Sequence, residues 1–176
     1  YKAQDDGATL EYRGPDKESY RAEYDLKTNE DDDDWSRFIT MIDLLNSAPD
    51  ESFNETLQPW IDMTAALRIL AFNMILSNFD SYSGSGRNFY LYDEEISGRF
   101  YLLPWDLNEA FGAYSNNWDV TTQDIVSFSN LANRPLNRRV LADEYLRQVL
   151  AQLRQYPQGV AGALLVEEGE GFIQAA

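Results

Sequence analysis

The sequence predicts an α+β domain, mainly helical, and three observations carry that reading. Trp60 to Leu76 is apolar on nearly every side, interrupted mainly by Asp62, Arg68 and Asn73, as befits a buried central helix. Two further stretches, 35–45 and 145–153, carry apolar residues three and four apart, the stripe of amphipathic helices. Between them, residues 88–103 read as a tight β-hairpin: NFYLY, a turn around Asp93 to Gly98, then RFYLL.

Length and composition set the bounds. A chain of 176 residues fits one domain with a proper core, and 44% apolar content argues against disorder. The formal net charge is −16, from 30 acids against 14 bases, which argues against nucleic acid and anionic lipid as partners. No membrane-length apolar run is present, so membrane insertion is not expected. The chain has no cysteine and no histidine. Thiolate chemistry, the Ser-His-Asp triad and most transition-metal sites are therefore excluded, and catalysis would run on carboxylates, hydroxyls, Lys/Arg or an oxygen-bound ion such as Mg²⁺.

The elements follow in order. From Tyr1 to Asp25 the pattern is β-like: Leu10 and Tyr12, then Tyr20, Ala22 and Tyr24 alternate with polar residues around a Gly14-Pro15-Asp16 turn. NEDDDD, residues 29–34, lacks the ligand spacing and glycine of a calcium loop and reads as a solvated helix start. The first helix presents Trp35, Phe38, Ile39, Ile42 and Leu45 and ends at Asn46-Ser47-Ala48-Pro49. A short helical turn carries Phe53 and Leu57, and Pro59 occupies a first helical position ahead of the central helix. That helix delivers Asn78 and Asp80 at its C-terminal end, an unfavourable place for an acid. Ser83-Gly84-Ser85-Gly86 reads as a flexible loop, matching neither the P-loop nor the dinucleotide spacing. After the hairpin Pro104 ends the second strand, and Asp106 follows in PWD. Residues 113–128 are loop-like and aromatic, Leu136 opens a helical region that Asp143 restarts, and the last helix ends near Tyr156-Pro157.

The stretch from Asn78 to Gly112 is where chemistry concentrates. Asp80, Asn88 and Asp106 supply oxygen ligands or acceptors from one loop and one hairpin. Two carboxylates and an amide suit hard Mg²⁺, with a carboxylate left over to deprotonate a hydroxyl, which is what phosphoryl transfer asks. Paired carboxylates also serve glycoside hydrolysis, and spacing along the chain does not decide between the two. Each residue has a plainer use as well: Asp106 as a cap, Tyr90, Tyr92 and Tyr101 as hairpin packing.

NFD, a Gly/Ser-rich gap, RNFYLY, a turn with Gly98 and RFYLLPWDLNEAFG together resemble the CotH (spore coat protein H) kinase family. YKA at the start, LEY at residues 10–12 and YDLKTN at residues 24–29 fit the same pattern, so the likeness spans residues 1 to about 155. The resemblance implies the C-terminal, larger lobe of an atypical protein-kinase-like fold, occupying 1–176 as one domain, with its hairpin carrying metal-site residues. It implies ATP and Mg²⁺ (or Mn²⁺) as cofactors and Ser/Thr hydroxyls of surface or coat proteins as substrate. Asp80 is then the catalytic acid that accepts the hydroxyl proton. Asn78, Asn88 and Asp106 form the cofactor-binding set, with Asn88 and Asp106 on the metal. A location at the cell surface or spore coat follows from the same likeness, and a non-catalytic module for coat assembly is the alternative. Arg87 stands where the family commonly has His, and Asn108 replaces a second acid of the PWD element. The ATP-holding lysine is not identifiable, Lys2 and Lys27 being poor substitutes, so the small lobe is expected outside this chain, and the chain alone is expected to be inactive.

Overall fold

The computed structural model describes residues 1–4, 7–115 and 133–155, the last three of these as backbone only. The expected loop over 116–128 and the chain beyond 155 lie outside the described residues. Among the described residues the architecture is α+β: a four-stranded antiparallel sheet and five α-helices. Strands β1 (Lys2–Ala3), β2 (Tyr24–Asp25), β3 (Phe89–Glu94) and β4 (Arg99–Pro104) lie in the order β2-β1-β3-β4.

The hairpin forms where its alternation places it. Phe89 and Leu91 on β3, with Phe100 and Leu102 on β4, are buried, and the register runs from Glu94↔Arg99 to Phe89↔Pro104. The turn is fixed by Glu94, whose carboxylate accepts from the backbone of Ile96 and Ser97 at 2.8 and 2.7 Å, and by Gly98 at φ +67°. Those donors hold the Glu94 carboxyl below its usual range. Tyr1 extends the pairing inward, exchanging two 2.8 Å main-chain bonds with Leu91.

Helix α1 (Ser36–Ser47) buries Phe38, Met41, Ile42 and Leu45. Asp34 Oδ1 accepts from the Ser36 N–H at 2.9 Å, so one acid of NEDDDD caps the start while most of that run faces solvent. The helix stops before Pro49, as the restriction on the preceding residue dictates. The short helix α2 (Phe53–Leu57) buries Phe53 and Leu57. Helix α3 (Met63–Ile75) is the central one, packed against β4 on one side and α5 (Glu144–Gln155) on the other. Its start is Asp62, whose Oδ1 accepts from Ala65 N–H at 2.8 Å. The Asp62 N–H donates to Phe100 O at 2.9 Å, and Phe100 N–H to Trp60 O at 2.7 Å, so the same short segment covers the outer edge of β4. Helix α4 (Pro135–Ala142) begins on proline, and Asp143 restarts the chain by capping α5 through Leu146 N–H at 2.9 Å.

Three expectations are corrected. The alternation over Tyr20, Ala22 and Tyr24 is not a strand: Lys17–Ser19 form a 3₁₀ turn and only Tyr24–Asp25 pair. Tyr20 and Tyr24 are fully buried because their hydroxyls serve loop backbone, accepting from Arg13 and Leu10 N–H at 2.9 Å each. Neither Leu10 nor Tyr12 lies in a strand. Pro59 is not at a first helical position, because capping by Asp62 moves the start of α3 to Met63. The Gly/Ser stretch is packed rather than a flexible loop: Ser83, Gly84 and Gly86 are buried, and Ser85 is half-buried.

Candidate functional site

The chain leaves α3 through Ser77 at φ +48° and enters a turn that closes on itself. Asn78 N–H donates to Asn73 O at 2.8 Å, and its side-chain amide donates to Asn73 Oδ1 at 2.9 Å. Ser81 Oγ donates to Asn78 O at 2.7 Å. Asn78 is 3% exposed, and its Oδ1 has no partner among the described residues. Next, Ser85 N–H bonds Phe79 O at 2.9 Å, while the N–H groups of Gly84 and Gly86 bond Ser81 O at 3.1 and 2.9 Å. These amides are satisfied inside the loop and are not aimed at an external phosphate. Gly84 is required by contact, since a Cβ there would lie 1.8 Å from Phe79 O.

This loop presents Asp80, a carboxylate that is 8% exposed. Its Oδ1 accepts from Ser85 Oγ and its Oδ2 from Asn88 Nδ2, each at 2.7 Å. Asn88 Nδ2 also reaches the Asp80 main-chain oxygen at 2.9 Å. Arg87 Nε stands 3.5 Å from Oδ1, an ion contact outside hydrogen-bond geometry. Each hydrogen bond to a charged acceptor contributes roughly 1.5–3 kcal/mol, which offsets desolvation. The helix-end penalty expected for Asp80 is outweighed, because α3 ends at Ile75, the dipole fades within one turn, and local donors dominate.

Asp106 follows the second strand of the hairpin, two residues past Pro104. Past the last strand pair, Phe89↔Pro104, Trp105 N–H donates to Asn88 O at 2.9 Å. The two residues flanking this closure, Asn88 and Asp106, both adopt the left-handed region, with φ of +56° and +46°. Asn and Asp tolerate that conformation best. Asp106 is exposed, and among the described residues its Oδ1 accepts only a long 3.4 Å bond from Asn108 N–H. Trp105 is half-exposed, packed edge-on to Tyr90 at 5.5 Å, with Lys2 Nζ 5.9 Å from its ring centre.

Of the four residues singled out from sequence, Asp80 and Asn88 touch directly, Asp106 adjoins Asn88 through the main chain, and Asn78 supports the turn from behind. The donor set fits a hard ion. Asn88 uses its N–H₂ on Asp80 and keeps a carbonyl oxygen, and Asp106 keeps nearly its whole carboxylate. Among the described residues no group of three or more acidic side chains is placed to hold a metal ion.

Sequence reasoning missed Ser85 and Arg134. Ser85 was hidden in a run that reads as spacer. Arg134 immediately precedes Pro135 of α4, is 4% exposed, and donates from Nε to Tyr82 O at 2.6 Å, a residue 52 positions away. No local pattern announces such a contact.

Fold and site together define an α+β domain that holds a buried, hydrogen-bonded carboxylate, Asp80, and carries an exposed one, Asp106, just past the open end of a β-hairpin. The chain belongs to the CotH kinase protein family, whose model matches residues 1–157. It is also similar to the inner spore coat protein H of Bacillus subtilis (strain 168), with 27% identity over 133 residues, covering 74% of this chain and 36% of that relative. The chain therefore spans about a third of the length of the curated relative it matches. Among the described residues, no helix is long and apolar enough to cross a membrane.

Proposed function

We propose that this chain is the catalytic half, 1–176, of an atypical protein kinase that transfers the γ-phosphate of ATP to Ser/Thr hydroxyls of coat or surface proteins. Its α+β arrangement then corresponds to the larger lobe of a protein-kinase-like fold, with the small lobe supplied by the remainder of a longer protein. The observation that supports the reading is the Asn88–Asp80 hydrogen bond of 2.7 Å at the foot of the hairpin, where Trp105 N–H, one residue before Asp106, closes on Asn88 O at 2.9 Å.

Asp80 accepts the proton of the attacking hydroxyl. Its two side-chain hydrogen bonds use about half of the four lone-pair sites of a carboxylate, and they orient the rest. Asn88 and Asp106 would hold the metal, and Asn78 keeps the loop in register from below. A bound Mg²⁺ or Mn²⁺ with ATP supplies the transferred group and the neutralisation of its charge. In the transfer, the substrate oxygen forms a bond to the γ-phosphorus, the bond to the β-bridging oxygen breaks, ADP leaves, and the proton passes to Asp80. The CotH family membership, together with the coat-protein relative, supports the coat as the setting.

A second reading, a non-catalytic module in coat assembly, is favoured by one observation: Asn108 stands in the PWD element where a second acid is usual, removing a charge from the metal side. Transfer of labelled phosphate by the full-length protein with Mg²⁺ or Mn²⁺ separates the two. The kinase reading predicts transfer that is lost in Asp80→Ala and Asp106→Ala. Absence of transfer in the full-length wild type favours the assembly module.

A further inference from the structure

We propose that Arg134 is a positioning residue for the Asp80 site: its guanidinium pins the main chain at Tyr82 and Gly84, and so holds the Ser85 hydroxyl against the Asp80 carboxylate. This rests on the reading of Asp80 as proton acceptor.

Arg134 donates from Nε to Tyr82 O at 2.6 Å, from Nη2 to Gly84 O at 2.8 Å and from Nη1 to Asn133 O at 2.9 Å. Two of these carbonyls bracket Ser83, and the next residue along is Ser85, whose Oγ donates to Asp80 Oδ1 at 2.7 Å. A planar fork can span two carbonyls from one side chain, whereas a lysine ammonium is a single point. The loop is shaped for the fork. A Cβ on Gly86 would fall 2.7 Å from Arg134 Nη2, and Gly86 stands at φ +81°. Tyr82 closes the far side, with its ring centre 5.9 Å from the guanidinium carbon and its hydroxyl accepting from Leu136 N–H at 3.1 Å.

The chemistry is unusual for a plain packing contact. Arg134 is 4% exposed, and among the described residues no Asp or Glu is in salt-bridge contact with it. Burial pushes the guanidinium below its usual range, with Tyr82 and Tyr24 opposing the shift. A buried charge is expensive, and apolar side chains fill such a space at least as stably. What carbonyl recognition adds is register: two fixed oxygens two residues apart, directly before the hydroxyl that meets Asp80.

The test uses the full-length protein and Arg134→Lys, which keeps the charge but cannot span both carbonyls. Its kcat for phosphate transfer is expected to fall by roughly 10- to 100-fold, the scale of a misplaced catalytic group, with KM for ATP unchanged. Ser85→Ala is expected to lower kcat similarly, and the double variant to fall no further than either single one. Independently of activity, amide hydrogen exchange at Ser85 and Gly86 is expected to accelerate in Arg134→Lys while the amides of α1 and α3 keep their protection. Wild-type kcat in Arg134→Lys, additive losses in the double variant, unchanged exchange at Ser85 and Gly86, or collapse of the whole fold each overturns the proposal. If the wild-type protein transfers no phosphate, the kinase reading fails, and the exchange measurement alone decides whether Arg134 holds the loop.

Discussion

Asn88 donates its side-chain amide to Asp80 twice, to Oδ2 at 2.7 Å and to the main-chain oxygen at 2.9 Å. One residue at the foot of β3 thus fixes both the position and the orientation of a carboxylate delivered by the end of α3. The helix provides the depth, the hairpin provides the reach, and the amide couples them. Asn88→Ala removes both bonds and leaves a partly buried carboxylate short of donors. The expected loss of stability is about 1–3 kcal/mol by chemical denaturation. Asn88→Asp is expected to be worse than Ala, since it sets a second negative charge against Asp80.

The loop beneath Asp80 has no room to spare. Gly84→Ala would place a Cβ 1.8 Å from Phe79 O, so backbone must move, and a loss of about 3 kcal/mol or more is expected. Gly14→Ala is the control. Gly14, unlike Gly84, has a positive φ, +93°, and nothing lies within 4 Å of its Cβ position, so only the backbone penalty of about 1–2 kcal/mol applies. Urea midpoints of the two variants, compared at equal m-values, check the contrast. Equal losses would mean that contact with Phe79 does not constrain the loop.

Lys17, Arg21 and Trp35 converge on Asp33, and this part of the fold carries a pH signature. Asp33 pairs with Lys17 at 2.6 Å, contacts Arg21, and accepts from Trp35 Nε1 at 2.8 Å. The Lys17, Trp35 and Arg21 bonds hold its carboxyl well below the usual carboxylate range. A depressed folded-state value means that the unfolded chain takes up the proton first. The contribution is complete above the ordinary Asp value of about 3.9 and is lost as pH falls below it toward the folded-state value. Asp33→Asn is expected to lower the thermal midpoint at pH 7 and to flatten its fall between about pH 4 and pH 2. An acid limb identical to wild type would remove Asp33 from the account.

Phe38 lies at the centre of the aromatic cluster, stacked on Tyr1 at 4.3 Å and edge-on to Tyr24 and Trp35 at 4.9 and 5.6 Å. It is fully buried, so Phe38→Ala is expected to cost about 3–5 kcal/mol. Because Tyr1 also pairs with Leu91, the loss should extend to the β1–β3 pairing, read as faster exchange at Leu91 N–H.

The parts legible in the sequence were those where local pattern and burial agree. The 88–103 hairpin declared itself by alternation, and α3 by apolar residues on nearly every face; both stand within a few residues of their expected bounds. Tyr20, Ala22 and Tyr24 misled because alternation also arises when buried tyrosines use their hydroxyls to hold neighbouring backbone. Asp80 and Asn88 were singled out from the sequence, but the hydrogen bonds between them were not, since these depend on how the loop packs. Arg134 could not be seen, since its acceptors are main-chain carbonyls that carry no sequence identity. Ser85 read as spacer because its value lies in a hydroxyl direction fixed only by the packed glycines on either side.

The separation of roles between the two acids gives the most direct test of the account. Asp80 is assigned the proton and Asp106 the metal, so the two conservative amide substitutions should fail differently. In the full-length protein, Mg²⁺-dependent ATP binding and phosphate transfer are measured side by side by titration calorimetry and labelled ATP. Asp80→Asn is predicted to bind ATP with Mg²⁺ as wild type does while transfer falls by about 10²–10⁴-fold. Asp106→Asn is predicted to lose the Mg²⁺-dependent part of binding together with transfer. Wild-type transfer in Asp80→Asn, or undiminished Mg²⁺-dependent binding in Asp106→Asn, would contradict the assignment.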